Sequence, residues 1–565
     1  MVLWRTFFQQ FFTSETVSSD DQLRQTIVWV LAFLLVPGII MLVQVFFDYA
    51  GIVARAVRFQ QFDRLDDTLL WIEFVFVTYS MVTLGFVAVF VWDALTFDQR
   101  DAMVLGPLPL RARTIVTAKL AALGAFIGGA AMAVNVPDAF VFAFETGDQL
   151  GAVAVVRHFV AHVTATVMAA IFVFAGIVIV RGTVALVAGP RIAAALGSLL
   201  QFVFAVALLC FVILCPAVWR VPRPELTNTV THSLPTAWFT GVFEWIRGSE
   251  RWYVIPLATR AAIATIVAVA GGALTSIAGY RLHMQMALAP SATPSAGAGR
   301  LTRAIARRLV GRNSIALALS DFLLLTIARN RTHQTLIAMN AAVGVAIVLA
   351  AVVWVPDLAS LTRPRMAVLW TPLVLAFWTT VGLRAAFFVP SELPASWTFR
   401  ANAPETTTGY WAGVRATMLA CVLPWSLAAT AAVTIPLLGW TATAKHALLV
   451  CAVATIIVEA AALTIDFVPF TRPYQPGHAN LKTRWWLYAL GLWATAYMPV
   501  RLELRALGNP TAFAALLIGL AAAAAALELA GRARAARWAV RSIDEPPDPL
   551  SRLHVLDISS VAQRA

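Results

Sequence analysis

Residues 92–119 read WDALTFDQRDAMVLGPLPLRARTIVTAK and lie between two long apolar runs. The stretch carries Asp93, Asp98, Arg100, Asp101, Arg111, Arg113 and Lys119. Hydrocarbon tolerates neither unpaired charge nor unsatisfied backbone, so this stretch leaves the bilayer between flanks that stay inside it. Gly106-Pro107-Leu108-Pro109 cannot continue a helix, because proline lacks the amide donor and clashes with the preceding turn. Helical spacing resumes over Thr114–Leu120. The expectation is a short helix, a kink and a new membrane span.

Working outward, the 565 residues are 60% apolar and only 13% charged, the composition of a multi-spanning membrane protein. A bilayer core of roughly 30 Å needs about 20 mostly apolar residues per helix. Stretches meeting that length centre on 26–47, 69–92, 116–136, 152–180, 194–218, 253–280, 335–355, 367–388, 415–438, 445–465, 485–500 and 511–530. The fold class is therefore all-α, a polytopic helical membrane protein of about 12 spans.

Charge placement orients these spans. The net charge of +13 is carried almost wholly by arginine, since lysine occurs only at 119, 445 and 482. Basic residues collect in cytoplasmic loops and meet anionic lipid, which accounts for this balance better than nucleic acid does. With both termini cytoplasmic, the inner loops hold Arg111, Arg113 and Lys119, then Arg181 and Arg191, then the arginines of 281–334 and those of the tail. The segment with Asp138, Glu145 and Asp148 lacks basic residues and falls outside. The N-terminus, MVLWRTFFQQFF, alternates aromatic and polar residues as an interfacial helix does, and does not have the layout of a cleavable signal peptide.

The run APSATPSAGAG at 289–299 separates six spans from six. The chain thus divides into 1–280, a six-span half with its interfacial helix; 281–334, a basic cytoplasmic linker; 335–531, a second six-span half; and 532–565, a cytoplasmic tail. Residues 300–334 are expected to form a basic amphipathic helix on the membrane surface, with Leu301, Ile305 and Leu309 opposite arginines. A second amphipathic helix, carrying Trp238, Phe239, Val242, Phe243 and Ile246, is expected along the outer interface. Leu393-Pro394 ahead of the helix restarting at Trp411–Arg415 echoes Leu108-Pro109, as an internally duplicated transporter would.

No phosphate-cradling Gly-Lys-Ser/Thr loop, GxSxG, HExxH, CxxC pair or EF-hand pattern occurs. Cys210, Cys215, Cys421 and Cys451 sit inside apolar runs, as small core residues do. Polar groups within spans are costly and mark function: Glu73, His158, His162 and Glu459 are the candidates. Arg260, Arg384 and Glu528 lie near enough to span ends to snorkel. Glu459 has no charge one turn away on its own helix and is expected to pair across the bundle or line a polar path. His158 and His162 share a helical face, a spacing that serves a metal or a proton shuttle; without a third ligand, two interfacial histidines are the simpler reading.

The segment DQRDAMVLGPLPLRARTIVTAK resembles the cytoplasmic segment between the second and third spans of ABC exporter permeases of the type-2 superfamily. Leu105, Leu108, Pro109, Arg111, Arg113 and Lys119 carry the match, a Leu-Pro followed by basic residues and a lysine. The resemblance implies a coupling helix seated on a separate ATPase subunit, with Asp98, Arg100, Asp101, Leu108, Pro109, Arg111, Arg113 and Lys119 at that contact. It further implies a multi-pass protein of the bacterial cytoplasmic (inner) membrane that is not itself an enzyme and binds no cofactor, ATP belonging to the partner. The usual subunit of that family has six spans, so twelve would be a fused pair, and the loop around Ser391–Arg415 lacks a clean copy of the basic Leu-Pro pattern. The alternative reading is a secondary transporter or lipid flippase driven by an ion gradient, with Glu459 or the two histidines carrying the proton.

Overall fold

The computed structural model describes residues 2–11, 51, 58–59, 62–95, 105, 108–147, 151–219, 232–287, 300–353, 365–391, 399, 408–471 and 485–544. All regular structure among them is helical. Among the described residues eight helices are long and apolar enough to cross a membrane, as in a multi-pass membrane protein. The chain forms two compact units, Met1–Ala292 and Thr293–Ala565.

The first unit comprises α1 (Val2–Gln10), α2 (Phe62–Phe90), a 3-10 turn (Trp92–Leu95), α3 (Ala112–Gly147), α4 (Ala152–Ala188), α5 (Pro190–Trp219), α6 (Pro235–Arg247) and α7 (Val254–Ala287). Helix α2 is its centre: 94% of its most apolar window is buried, against 17% for α7. Such all-round burial requires partners on every side, and α3, α4, α5 and α6 all pack on α2. On α4 the small residues Ala161, Ala165 and Ala169 repeat every four positions and are fully buried beneath Phe76, Phe239 and Phe243. Small residues let helix backbones approach closely where the bilayer supplies no hydrophobic drive. Ile255, Ile263, Ile266 and Leu274 of α7 stay exposed within the unit, an apolar surface of the kind lipid covers.

The second unit comprises α8 (Arg300–Val310), α9 (Ser314–Arg329), α10 (Arg331–Val353), α11 (Met366–Leu369), α12 (Thr371–Phe387), α13 (Thr408–Ala462), α14 (Trp485–Leu492), a π-helical turn (Trp493–Tyr497), α15 (Met498–Ala506) and α16 (Pro510–Asp544). Helix α13 is a hairpin of two arms broken at Gly439, whose φ of 77° favours glycine. The stretches expected at 415–438 and 445–465 are its arms. The remaining expected stretches from the second onward also fall on described helices; the first, 26–47, lies outside the described residues.

Three expectations differ from the structure. The acidic segment after residue 136 is not a loop: α3 continues through Pro137 to Gly147, because Ala139, Phe142 and Ala143 pack into the unit and Asp138 is buried with them. The helix expected along the outer interface is α6, and it is inside the unit instead. Its apolar Phe239 and Phe243 and its polar Thr236, Thr240 and Glu244 are all buried among α2, α4 and α7. The single basic helix expected over 300–334 is α8, α9 and the start of α10. Asn313 caps α9 by accepting from Ala316 N at 3.1 Å, and the apolar Leu319 and Leu323 then carry α9 into the core.

Candidate functional site

Two places in the first unit gather the candidate residues, at opposite ends of α3. From Ala112 to Asp138 the helix rises about 39 Å at roughly 1.5 Å per residue.

At the N-terminal end is the charged elbow. Trp92 is buried and turns the chain out of α2. Leu108, Pro109, Leu110, Arg111 and Arg113 are exposed, and the backbone is tightened by Leu110 N donating to Leu108 O at 2.7 Å. Asp98, Arg100 and Asp101 lie outside the described residues. Lys119, expected at the same surface, is instead buried: α1 covers it. Its Nζ donates to Gln10 Oε1 at 2.9 Å and stands 4.8 Å above the Phe7 ring, while Phe11 stacks on Phe126 at 4.5 Å. The aromatic face of the N-terminal helix thus receives a lysine from α3 and holds its charge over ring quadrupoles.

At the other end is a buried polar cluster. Glu73 on α2 and His162 on α4 are both fully buried and meet through Oε2 and Nδ1 at 2.6 Å. The His162 ring stacks on Phe142 at 4.5 Å and meets the edge of Phe76 at 5.2 Å, so the imidazole is held in one orientation. One turn earlier, His158 Nδ1 lies 2.9 Å from Thr146 Oγ1. That hydroxyl already donates to Phe142 O at 2.7 Å, so His158 is the donor. The antiparallel register, Thr146 to His158 and Phe142 to His162, brings Asp138 beside the next turn. Asp138 interacts electrostatically with both His162 and Glu73. Buried Glu244 on α6 pairs with Arg247 at 3.3 Å, and Arg247 also reaches Asp66 at 3.0 Å. Burial pushes the Glu244 carboxyl above its ordinary value, with Arg247 opposing.

The two histidines share a face, yet each has its own partner. Among the described residues no group of three or more His, Cys, Asp or Glu is arranged to hold a metal ion.

In the second unit Glu459 is fully buried and paired with Arg415, which reaches across from the other arm of α13. Arg415 also holds Glu528 of α16 at 3.2 Å, and Glu528 in turn pairs with Arg532. Arg384 donates to Thr464 Oγ1 at 2.6 Å. A second buried imidazole–carboxylate pair joins His446 on α13 to Glu503 on α15, both oxygens within 3.0 Å of Nδ1. Sequence reasoning missed Asp138, read as loop, and the His446–Glu503 pair, because Lys445, Arg501 and Arg505 made both neighbourhoods look like span ends. Proline at the start of α6 and α15 was the available signal, since each short helix carries a buried glutamate after it.

No family model matches this chain, and no match was found among curated proteins or solved structures.

Proposed function

We propose that this chain is the membrane-spanning permease subunit of an ATP-driven ABC exporter, coupled to a separate ATPase through cytoplasmic loops. In this reading about twelve spans form two six-span halves in a bacterial cytoplasmic membrane, with both termini cytoplasmic. The observation that carries it is the exposed elbow, Leu108 to Arg113, at the start of a 36-residue helix whose far end holds buried polar groups. A hydrogen-bonded helix transmits a push at one end as a displacement of the other, and the kink at Pro109 keeps the contact surface separate from the span. Arg111 and Arg113 are presented outward for acidic groups on the ATPase. Lys119 acts differently, by docking α1 against the root of the lever.

The test is charge reversal, Arg111→Glu with Arg113→Glu, followed by co-purification with the candidate ATPase and ATP-dependent transport. Loss of both at unchanged expression supports the reading; unchanged recovery and transport remove it. The gradient-driven reading draws on the buried Glu73–His162 pair, and predicts that transport survives the elbow reversal.

A further inference from the structure

We propose that Glu73, His162 and Asp138 form a proton-binding site within the first unit, in which the hydrogen-bonded Glu73–His162 pair and the Asp138 carboxyl one helical turn along take up and release protons as coupled groups. The charges first show why the site calls for a ligand. A carboxylate and an imidazole meet at 2.6 Å where water is excluded, and a second carboxylate, Asp138, stands one helical turn along α3 from Phe142, whose ring stacks on that imidazole. An imidazolium balances one carboxylate, and the other is left over. The nearby cations are engaged elsewhere: Arg247 with Glu244 and Asp66, Arg251 with Asp67 at 3.3 Å, Arg157 with Arg247 O, and Arg260 with His232 O. His158 is turned to Thr146, and the Glu145 side chain lies off the α3 face formed by Asp138, Phe142 and Thr146.

An independent observation is the set of unused atoms. Glu73 Oε1 and His162 Nε2 are buried and have no hydrogen-bond partner among the described residues, and both buried Asp138 oxygens lack a side-chain partner there. Their residues are 0%, 0% and 5% exposed. Buried acceptors left open cost free energy that a shared proton relieves by turning one of them into a donor. No third ligand geometry for a metal exists among the described residues, and the pocket walls beside the pair are the rings of Phe76 and Phe142. The occupant that fits without further ligands is therefore a proton. Binding is the reaction of a carboxylate or imidazole lone pair with a proton from solvent, and release is its reverse. The three groups stand on α2, α3 and α4, so occupancy alters how these helices hold together. This inference does not rest on the ATP-driven reading, and the elbow experiment leaves it untouched.

The test uses full-length protein in lipid nanodiscs, with no substrate needed. Infrared difference spectra over a pH series read the carboxylic-acid C=O stretch, and histidine-15N NMR reads the charge of His162, assigned through His162→Gln. The expected result is a protonated-carboxyl band that is lost or moved in Asp138→Asn or Glu73→Gln, and that titrates together with the His162 signal, as coupled sites do. A band unaffected by either variant, or a His162 signal that titrates independently of it, overturns the proposal. Displacement of the band by sodium or potassium at fixed pH also overturns it, in favour of a metal cation. Should the carboxylate variants not be recovered, the wild-type spectra decide: no pH-dependent carboxyl band and an unchanging His162 signal sink the idea.

Discussion

Among the described residues each unit buries an imidazole–carboxylate pair, and the two are finished differently. His446 lies against both oxygens of Glu503 through one nitrogen, which closes that carboxylate. Glu73 offers His162 a single oxygen, keeps the other open, and has Asp138 close by. The first arrangement gives both carboxylate oxygens a donor and ties α15 to α13. The second leaves an excess of acid over base, and that excess separates a candidate ligand site from a structural tie.

The largest effect should come from splitting a pair. Removing one member strands the other without solvent, at a cost of about 3–5 kcal/mol. Glu503→Ala is therefore expected to destabilise the protein heavily in thermal unfolding, while the double replacement His446→Leu with Glu503→Leu recovers most of the loss. The matching double replacement at His162 and Glu73 should recover less, because Asp138 remains buried without them. Equal recovery at both pairs would erase the distinction drawn here.

Next comes packing under the cluster. A Cβ at Gly241 would stand 2.5 Å from Leu257 Cβ, so α6 seats on α7 only with glycine there. Gly241→Val should cost about 1–3 kcal/mol. It should disturb the Glu73–His162 region, because α6 also contacts α4, and leave the His446–Glu503 pair intact; proteolysis mapping of each unit separates these outcomes.

A pH effect follows from Glu244. Its folded carboxyl lies above the ordinary carboxylate range, so the native state keeps this proton longer than the unfolded chain does. Stability from this group accordingly falls as pH rises from the ordinary value through the raised one, and stays lower above it. Glu244→Gln should flatten that decline in a thermal-unfolding series against pH; a decline of undiminished slope would assign it to other groups. The smallest effect is at the elbow end, where Lys119→Met removes the contacts to Phe7 and Gln10. It should loosen α1 at a cost of about 1 kcal/mol, read as faster cleavage near the N-terminus with no change at either histidine pair.

How far the residues reveal these features depends on their range in sequence. The kink at Pro109 and the restart of helix at Ala112 are local chemistry, legible from the prolines alone. The burial of Glu73, His158, His162 and Glu459 follows from charge within apolar runs. Their partners were not legible, because Glu73 and His162 are 89 positions apart and Arg415 and Glu459 are 44 apart. Asp138 was misread because a proline and an acid together resemble a loop, whereas Ala139, Phe142 and Ala143 pack into the unit and the helix continues through that turn.

By itself the sequence determined a helical membrane chain, an elbow that cannot be helix, and the few polar side chains placed where water is scarce. Each follows from the immediate neighbours along the chain, through proline geometry and the cost of charge in hydrocarbon. Only the tertiary structure decided that α6 lies inside the first unit, that Lys119 of α3 packs beneath α1, and that one paired carboxylate has a donor at both oxygens while the other keeps an oxygen open. These depend on which helix faces meet, and on hydrogen-bond capacity counted across several helices.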